Sequence, residues 1–287
     1  MRPDLRTNVP LAEYTWLKVG GSADFYAEIR SLDELSYAMR EFPKPICIIG
    51  AGSNVLIRDA GFRGTILRFE REMDQLEICE DSIIVSASCL NLKLVAKCIR
   101  LGIAGLEFLC GIPGTVGGAL FMNAGVKDVS MQDVVLGVDV MDMEGNVHRL
   151  DVSDVGYQYR SSAIPEGWIF TSARLRVLQD DPTRVASRVR ELLAKRAKAQ
   201  PISGRISGCF FKNPLGMSAW KLIRDSGSSD LTVGSACVSK KHANFLCGAR
   251  GVMAKDIEDL AQSVIKQVYD YSGITLAWEV RRIGESI

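Results

Sequence analysis

The chain has 287 residues, 47% hydrophobic and 24% charged, with 35 Lys plus Arg against 34 Asp plus Glu. That is the make-up of a globular protein with a sizeable core and room for two or three lobes. The near-neutral charge carries no electrostatic footprint of nucleic acid or an anionic membrane as main partner, and no apolar run reaches the roughly 18–20 residues that span a bilayer. The opening MRPDLRTNVP lacks the apolar core of a signal peptide. Eight cysteines occur with no CxxC, several within apolar strings such as PICIIG. They read as reduced thiols in a cytoplasmic protein. His148 and His242 are the two histidines, and with no HExxH a metal site is not expected.

In chain order, Asp24 to Arg30 reads as a strand, Leu32 to Arg40 as a short helix and Pro45 to Ile49 as a buried strand. A glycine turn and two further apolar runs, Val55 to Ile57 and Thr65 to Phe69, complete a small α+β lobe. Ser82 to Ala87 is the next strand. A helix follows, with Leu90, Leu94, Cys98 and Leu101 on one face and Gly102 as its stop. Beyond the glycine-rich Cys110 to Gly125, strands are expected at Leu136 to Asp142, Val147 to Leu150 and Ile169 to Leu178, the first two joined at Glu144-Gly145-Asn146. Asp181-Pro182 opens a helix as N-cap and first-turn proline. Its basic end, KRAKAQP, reads as a solvated terminus with cations favoured by the macrodipole, in preference to a ligand site.

The last third holds a short helix from Ser218 to Ser226 and strands around Ser235 to Val238 and Phe245 to Cys247. An amphipathic helix follows, with Ile257, Leu260, Val264, Val268 and Tyr271 on one face. TLAWEVRRIG then reads as a strand, with Leu276, Trp278 and Val280 facing one way and Ala277, Glu279 and Arg281 the other.

Two glycine segments stand out. Gly50-Ala51-Gly52-Ser53-Asn54 follows a buried strand, and in such a turn successive backbone N–H groups converge on an anion without obstruction from side chains. On its own a GxG is more often a hairpin or crossover turn. A dinucleotide fingerprint would add a third glycine and an immediate helix, which Val55 and LIRDAGFRG do not supply. The second segment, Gly111-Ile112-Pro113-Gly114-Thr115-Val116-Gly117-Gly118, lacks the Lys-Ser/Thr ending of a P-loop. By itself it reads equally as a cradle for something flat or charged and as tight strand–helix packing.

Together, GAGSNVLIRDAGFRG and GLEFLCGIPGTVGGALFMNAG resemble the two flavin-cradling segments of the UDP-N-acetylenolpyruvoylglucosamine reductases, a family of the vanillyl-alcohol-oxidase/p-cresol-methylhydroxylase type of FAD-binding fold. The likeness continues through TWLKVGGSADF, YRSS, SGCFFKNP, KHANFL and EVRRIG. It implies an α+β chain with FAD-binding lobes at 1–69 and 70–199, residues 281–287 returning to the first, and a substrate-binding domain at 200–280. It also implies FAD held non-covalently by Gly50, Ala51, Gly52, Ser53, Asn54, Gly111, Ile112, Pro113, Gly114, Thr115, Gly117 and Gly118. NADPH would be the reductant and the enolpyruvyl ether of a UDP-sugar the substrate, in the making of peptidoglycan precursors. No obligatory protein partner is evident.

By motif position the resemblance nominates Arg160 to pair with the substrate carboxylate or enolate, and Glu279 to polarise it. The family's usual serine proton donor is replaced here by Cys209. A thiol, with an ordinary pKa of about 8.5, is a stronger acid than an alcohol and stays mostly protonated at neutral pH. The plainer readings are surface ion pairs for Arg160 and Glu279, and a buried hydrophobe-like cysteine for Cys209. Tyr159, Lys212, Asn213 and His242 are nominated for substrate, His242 being equally a packed core histidine. Between Arg160 and Asp181 there is no room for the tyrosine-bearing loop of the longer family members, so the chain resembles the shorter type.

Overall fold

A computed structural model describes residues 2–70, 73–201 and 204–286. The chain divides into two compact units, each assembled from three separate stretches. One comprises 1–6, 25–51 and 64–196, the other 7–24, 52–63 and 197–287.

The first unit is built on a five-stranded sheet. Its order is Val147–Asp151, Val135–Met141, Ile169–Arg176, Ser82–Ser86 and Leu76–Ile78, antiparallel throughout. Alternation puts Val138 and Val140 into the core with Ile83, Val85, Ala173 and Leu175. Helix α1 (Leu32–Glu41) is capped by the Ser31 hydroxyl, which accepts the Glu34 N–H at 3.1 Å. Its Leu35, Ala38 and Met39 pack on Ala27, Ile29 and Leu67.

Helix α2 (Asn91–Leu101) ends at Gly102 in the left-handed conformation, as its glycine predicts. Its buried face is Asn91, Leu94, Val95 and Cys98, whereas Leu90 and Leu101 are exposed. Leu90 is the extended residue before the first turn, so it does not share the helical register. The glycine-rich segment also contains a short helix, α3 (Val116–Phe121), that periodicity does not predict because Gly117 and Gly118 fill its first turn. After the single turn α4 (Met131–Val134), Pro182–Ala199 forms α5, whose start is capped by Asp181. In the turn of the 135–151 hairpin, the Asp142 carboxylate accepts the N–H groups of Glu144 and Asn146 and meets the His148 ring at 2.6 Å. The His148 contact leads the effects that hold this carboxyl down at about 2.

In the second unit, α6 (Ala219–Asp225) and α7 (Ala254–Ser272) pack against a small antiparallel sheet of Arg205–Ile206, Leu246–Gly248, Ala236–Val238 and Thr232–Val233. Ile257, Leu260, Ala261, Val264 and Val268 are buried. Tyr271 lies in the last turn, beyond the end of that core, and is exposed, contrary to the predicted stripe. The first N–H groups of α7 are capped by a distant residue: Asp59 accepts from Ala254 at 2.9 Å and Lys255 at 2.8 Å. Asp59→Ala is expected to lower stability by about 1 kcal/mol. Urea unfolding with an unchanged m-value would measure it.

The C-terminal stretch is not one strand. Phe211 bridges Trp278 antiparallel, and Arg281–Ile283 then runs parallel to Val55–Ile57. The ladder breaks because the N–H groups of Glu279 and Val280 both point to the Phe210 carbonyl, at 2.8 and 3.4 Å, before the chain changes partner. Leu276 and Val280 are buried, as the period of two predicts. Among the described residues, no helix is long and apolar enough to cross a membrane.

Candidate active site

The turn after the strand Ile46–Ile48, which is half-buried rather than buried as its sequence predicts, has the features of an anion cradle. Gly52 sits at φ +68°, and a Cβ there would collide with the Tyr14 carbonyl and lie 2.8 Å from the Thr15 Cα. Only glycine fits this position. Among the described residues, the backbone N–H groups of Gly50, Ala51, Gly52 and Asn54 make no hydrogen bond. Free donors in a turn of such small residues fit the pyrophosphate of a dinucleotide cofactor.

In the first unit Gly50 abuts Thr115: a Cβ at position 50 would stand 2.6 Å from the Thr115 hydroxyl. The two glycine segments are thus neighbours. Thr115 caps α3 by accepting the Gly118 N–H at 3.2 Å. The N–H groups of Val116 and Gly117 go to the carbonyls of Cys89 (2.8 Å) and Ala87 (2.9 Å), and a Cβ on Gly117 would lie 2.9 Å from that of Ala87. Gly117 therefore serves close packing, the second of the two readings left open for that segment. The preceding loop is braced by Asn91, whose backbone N–H donates to the Gly114 carbonyl (3.0 Å) and whose side-chain amide donates to that of Ile112 (2.9 Å). Among the described residues, the buried Asn91 side-chain oxygen has no hydrogen-bond partner. The Gly111 carbonyl accepts from the Arg196 guanidinium.

Tyr159 and Arg160 lie on a loop fastened to the last residue of α3 and to the chain just after it. Ser162 donates to the Phe121 carbonyl at 3.1 Å, and Asn123 donates to that of Gln158 at 3.0 Å. Arg160 adopts φ +56°, a conformation uncommon for a side-chain-bearing residue. Its guanidinium donates to the Gly125 carbonyl at 3.0 Å and lies 4.9 Å from the exposed Tyr159 ring centre. Earlier on the same loop, the buried Tyr157 hydroxyl has no hydrogen-bond partner among the described residues, and burial raises its pKa.

In the second unit the stretches bearing Cys209 and Glu279 lie side by side. The Glu279 N–H donates to the Phe210 carbonyl at 2.8 Å, and the Lys212 N–H donates to that of Ala277 at 2.8 Å. The N–H before Cys209, that of Gly208, goes to the Ser53 carbonyl at 3.3 Å. Asn54 donates its side-chain amide to the Glu279 carbonyl at 3.1 Å. Two residues of the first glycine segment are thus bonded to both candidate catalytic stretches. Asn213 accepts the Ala219 N–H at 2.9 Å, holding the start of α6. His242 packs edge-on to Phe245 with ring centres 5.0 Å apart, and its Nδ1 accepts the Asn244 N–H. Burial pushes its pKa below the usual histidine value, so it is neutral at pH 7.

Asn244 is a site residue that the sequence reading did not single out, although it stands in KHANFL. It is buried, its side chain accepts the Phe211 N–H (3.0 Å) and donates to the Phe211 carbonyl (2.8 Å), and its own carbonyl accepts the Phe210 N–H (2.9 Å). It completes the ladder for the two residues after Cys209. An apolar-flanked asparagine was the available signal, since a buried amide must find partners. Among the described residues, no three His, Cys, Asp or Glu side chains group to hold a metal.

Comparison with known proteins identifies the family. The sequence profile of the UDP-N-acetylenolpyruvoylglucosamine reductase C-terminal domain matches residues 200–283, and that of an FAD binding domain matches residues 23–151. The UDP-N-acetylenolpyruvoylglucosamine reductase of Paramagnetospirillum magneticum is 41% identical over 96% of this chain and 91% of its own length. That of Gluconobacter oxydans is 38% identical over 99% and 94%. The crystal structure of the Thermus caldophilus enzyme superposes with a TM-score of 0.86 at 33% identity, covering 99% of this chain and 100% of that one. At 13% identity, 6-hydroxy-D-nicotine oxidase from Arthrobacter nicotinovorans shares the fold alone, with a TM-score of 0.58 over 98% of this chain and 89% of the other. With the glycine cradle and the paired Cys209 and Glu279 stretches in place, the chain belongs to the UDP-N-acetylenolpyruvoylglucosamine reductase family.

Proposed function

We propose that this chain reduces the enolpyruvyl group of UDP-N-acetylglucosamine enolpyruvate to UDP-N-acetylmuramate with NADPH, using non-covalently held FAD, in peptidoglycan precursor synthesis. The observation that carries the reading is the backbone pairing of Glu279 with Phe210, next to Cys209, both tied to the turn Ser53-Asn54. Residues 1–69 and 70–199 serve as FAD-binding lobes, with 281–287 returning to the first, and 200–280 as the substrate domain.

When bound, FAD would supply the hydride chemistry that links NADPH to C3 of the enolpyruvyl group. Gly50 to Asn54 would hold its pyrophosphate through backbone N–H groups. Gly111 to Thr115 would line the ring system, with Gly117 and Gly118 allowing the close approach behind it. Negative charge then develops at substrate C2 and its carboxylate. Arg160 holds that carboxylate with a permanently charged fork, Glu279 polarises it, and the Cys209 thiol gives a proton to C2 and regains one from solvent. Tyr159, Lys212, Asn213 and His242 bind the sugar nucleotide, the neutral His242 by hydrogen bonding rather than charge. We place the enzyme in the cytoplasm, with which eight cysteines outside any disulfide accord.

An anaerobic two-step titration tests the reading. NADPH is expected to bleach the yellow protein, and the enolpyruvyl UDP-sugar to restore its colour. A preparation that takes up no FAD, or a reduced flavin that the enolpyruvyl compound does not reoxidise, sinks it. The second outcome would leave a different flavin oxidoreductase on the same fold.

A further inference from the structure

The geometry points to the Asn54 side chain as a positioning residue that sets Glu279 and, with the Ser53 carbonyl, Cys209 from within the anion-cradling turn. The inference rests on the reading of Glu279 and Cys209 as reacting groups. It goes beyond the backbone contact assigned to Asn54 above, because here its side chain acts on another part of the chain.

Glu279 lies where the C-terminal stretch changes partner. Up to Val280 it pairs with the Phe210 region, and from Arg281 it pairs with Val55–Ile57. At this switch, among the described residues, the donor to the Glu279 carbonyl comes from outside both ladders. It is Asn54: its side-chain amide donates to the Glu279 carbonyl at 3.1 Å, while its own carbonyl accepts the Arg281 N–H at 3.0 Å. Glu279 is therefore fixed on both sides by one residue, and its N–H is held by Phe210. The preceding Ser53 carbonyl takes the Gly208 N–H at 3.3 Å. A closed circuit of hydrogen bonds thus runs from Ser53 to Gly208, along the chain through Cys209 to Phe210, across to Glu279 and back to Asn54.

Within the same turn, the N–H groups of Gly50, Ala51, Gly52 and Asn54 have no partner among the described residues. An anion seated on them restrains the turn, and the circuit carries that restraint to both reacting groups. An empty turn leaves Glu279 and Cys209 less ordered, so cofactor occupancy and acid geometry are coupled through Asn54. Aspartate at this position would keep the shape but present an acceptor to the Glu279 carbonyl, breaking the bond without enlarging the site.

The test compares the parent enzyme with Asn54→Ala and Asn54→Asp, using two readouts. In FAD-loaded protein, stopped-flow kinetics separates flavin reduction by NADPH, whose slowing should be clearly the smaller, from reoxidation. Reoxidation by the enolpyruvyl substrate should be slower by about 10–100-fold, the effect of misplacing a reacting group by a fraction of an ångström to one ångström. In hydrogen exchange, FAD should protect peptides covering 207–212 and 277–282 in the parent and much less in either variant. Equal slowing of both half-reactions, or exchange and rates like the parent's, overturns the proposal. Should Asn54→Ala fail to hold FAD, Asn54→Asp decides by the same criteria, and if it also fails, the side chain serves cofactor retention and the proposal is wrong. Glu279→Gln separates the two readings: slowed reoxidation there with parent-like Asn54 variants keeps the function and removes the positioning role. Altered exchange in a protein without either half-reaction does the reverse.

Discussion

Cys209→Ala is expected to leave flavin reduction by NADPH near normal and to slow reduction of the enolpyruvyl substrate by about 10²–10⁴-fold, the usual weight of a positioned acid. The two halves separate because the first needs only the cofactor and NADPH, whereas the second ends with a proton placed on a carbanion-like carbon. The backbone around Cys209 is fastened independently of its side chain, through the Gly208 N–H on one side and the Phe210 N–H on the other. Truncation to alanine therefore removes the acid without releasing the loop. Cys209→Ser should retain substantial turnover, since the hydroxyl keeps a donor at the same place. Equal loss of both half-reactions in a folded, FAD-bound Cys209→Ala protein would remove the assignment.

Thiol alkylation provides a chemical check on the same residue. The thiolate is the nucleophile, and burial first of all pushes both Cys89 and Cys98 up to about 12. Cys110 and Cys247 are raised by burial as well. Those four should react slowly at pH 8. Alkylation is expected to inactivate with the label on Cys209, and bound product should protect it. Inactivation with Cys209 unlabelled in a peptide map would contradict this.

Asn244→Ala should be the most destabilising single change near the site. The side chain replaces a missing strand for Phe211, pairing both its N–H and its carbonyl in the buried interior. Alanine leaves both groups without partners, at about 1–3 kcal/mol each. A loss of roughly 2–6 kcal/mol should lower Tm by about 5–20 °C for a chain of this size. The damage falls next to Cys209, because Phe210 and Phe211 are buried against Trp278 with ring centres 6.1 and 5.8 Å away. Asn244→Asp should do no better, since it keeps the acceptor but loses the donor and buries a carboxylate. Calorimetry showing either variant within about 2 °C of the parent would refute the clamp.

Much of the fold is legible in the residues themselves. Caps and periodicity locate α1, α2 and α5 to within a residue or two, and the buried stripe of α7 from Ile257 onward, because caps and core-facing stripes are local properties of the chain. Periodicity misses α3, where Gly117 serves close contact with Ala87 and not helix propensity. It places Leu90, Leu101 and Tyr271 on buried faces, although each lies at a helix end where the stripe no longer faces the core. It also draws one strand from Thr275 onward where the chain in fact changes partners at Arg281.

The same division runs through the candidate site. The glycine turn and the chemical character of Arg160, Cys209 and Glu279 belong to the sequence, since they depend on residue type and immediate neighbours. Tertiary structure alone decides that Gly50 meets Thr115, that Asp59 caps α7, and that Asn54 and Asn244 stand in for absent strands beside Glu279 and Cys209. Hydrophobic patterning records which face of an element is buried. It carries no trace of which distant carbonyl an amide will find, because a polar side chain takes its partner only once packing has brought the backbones together.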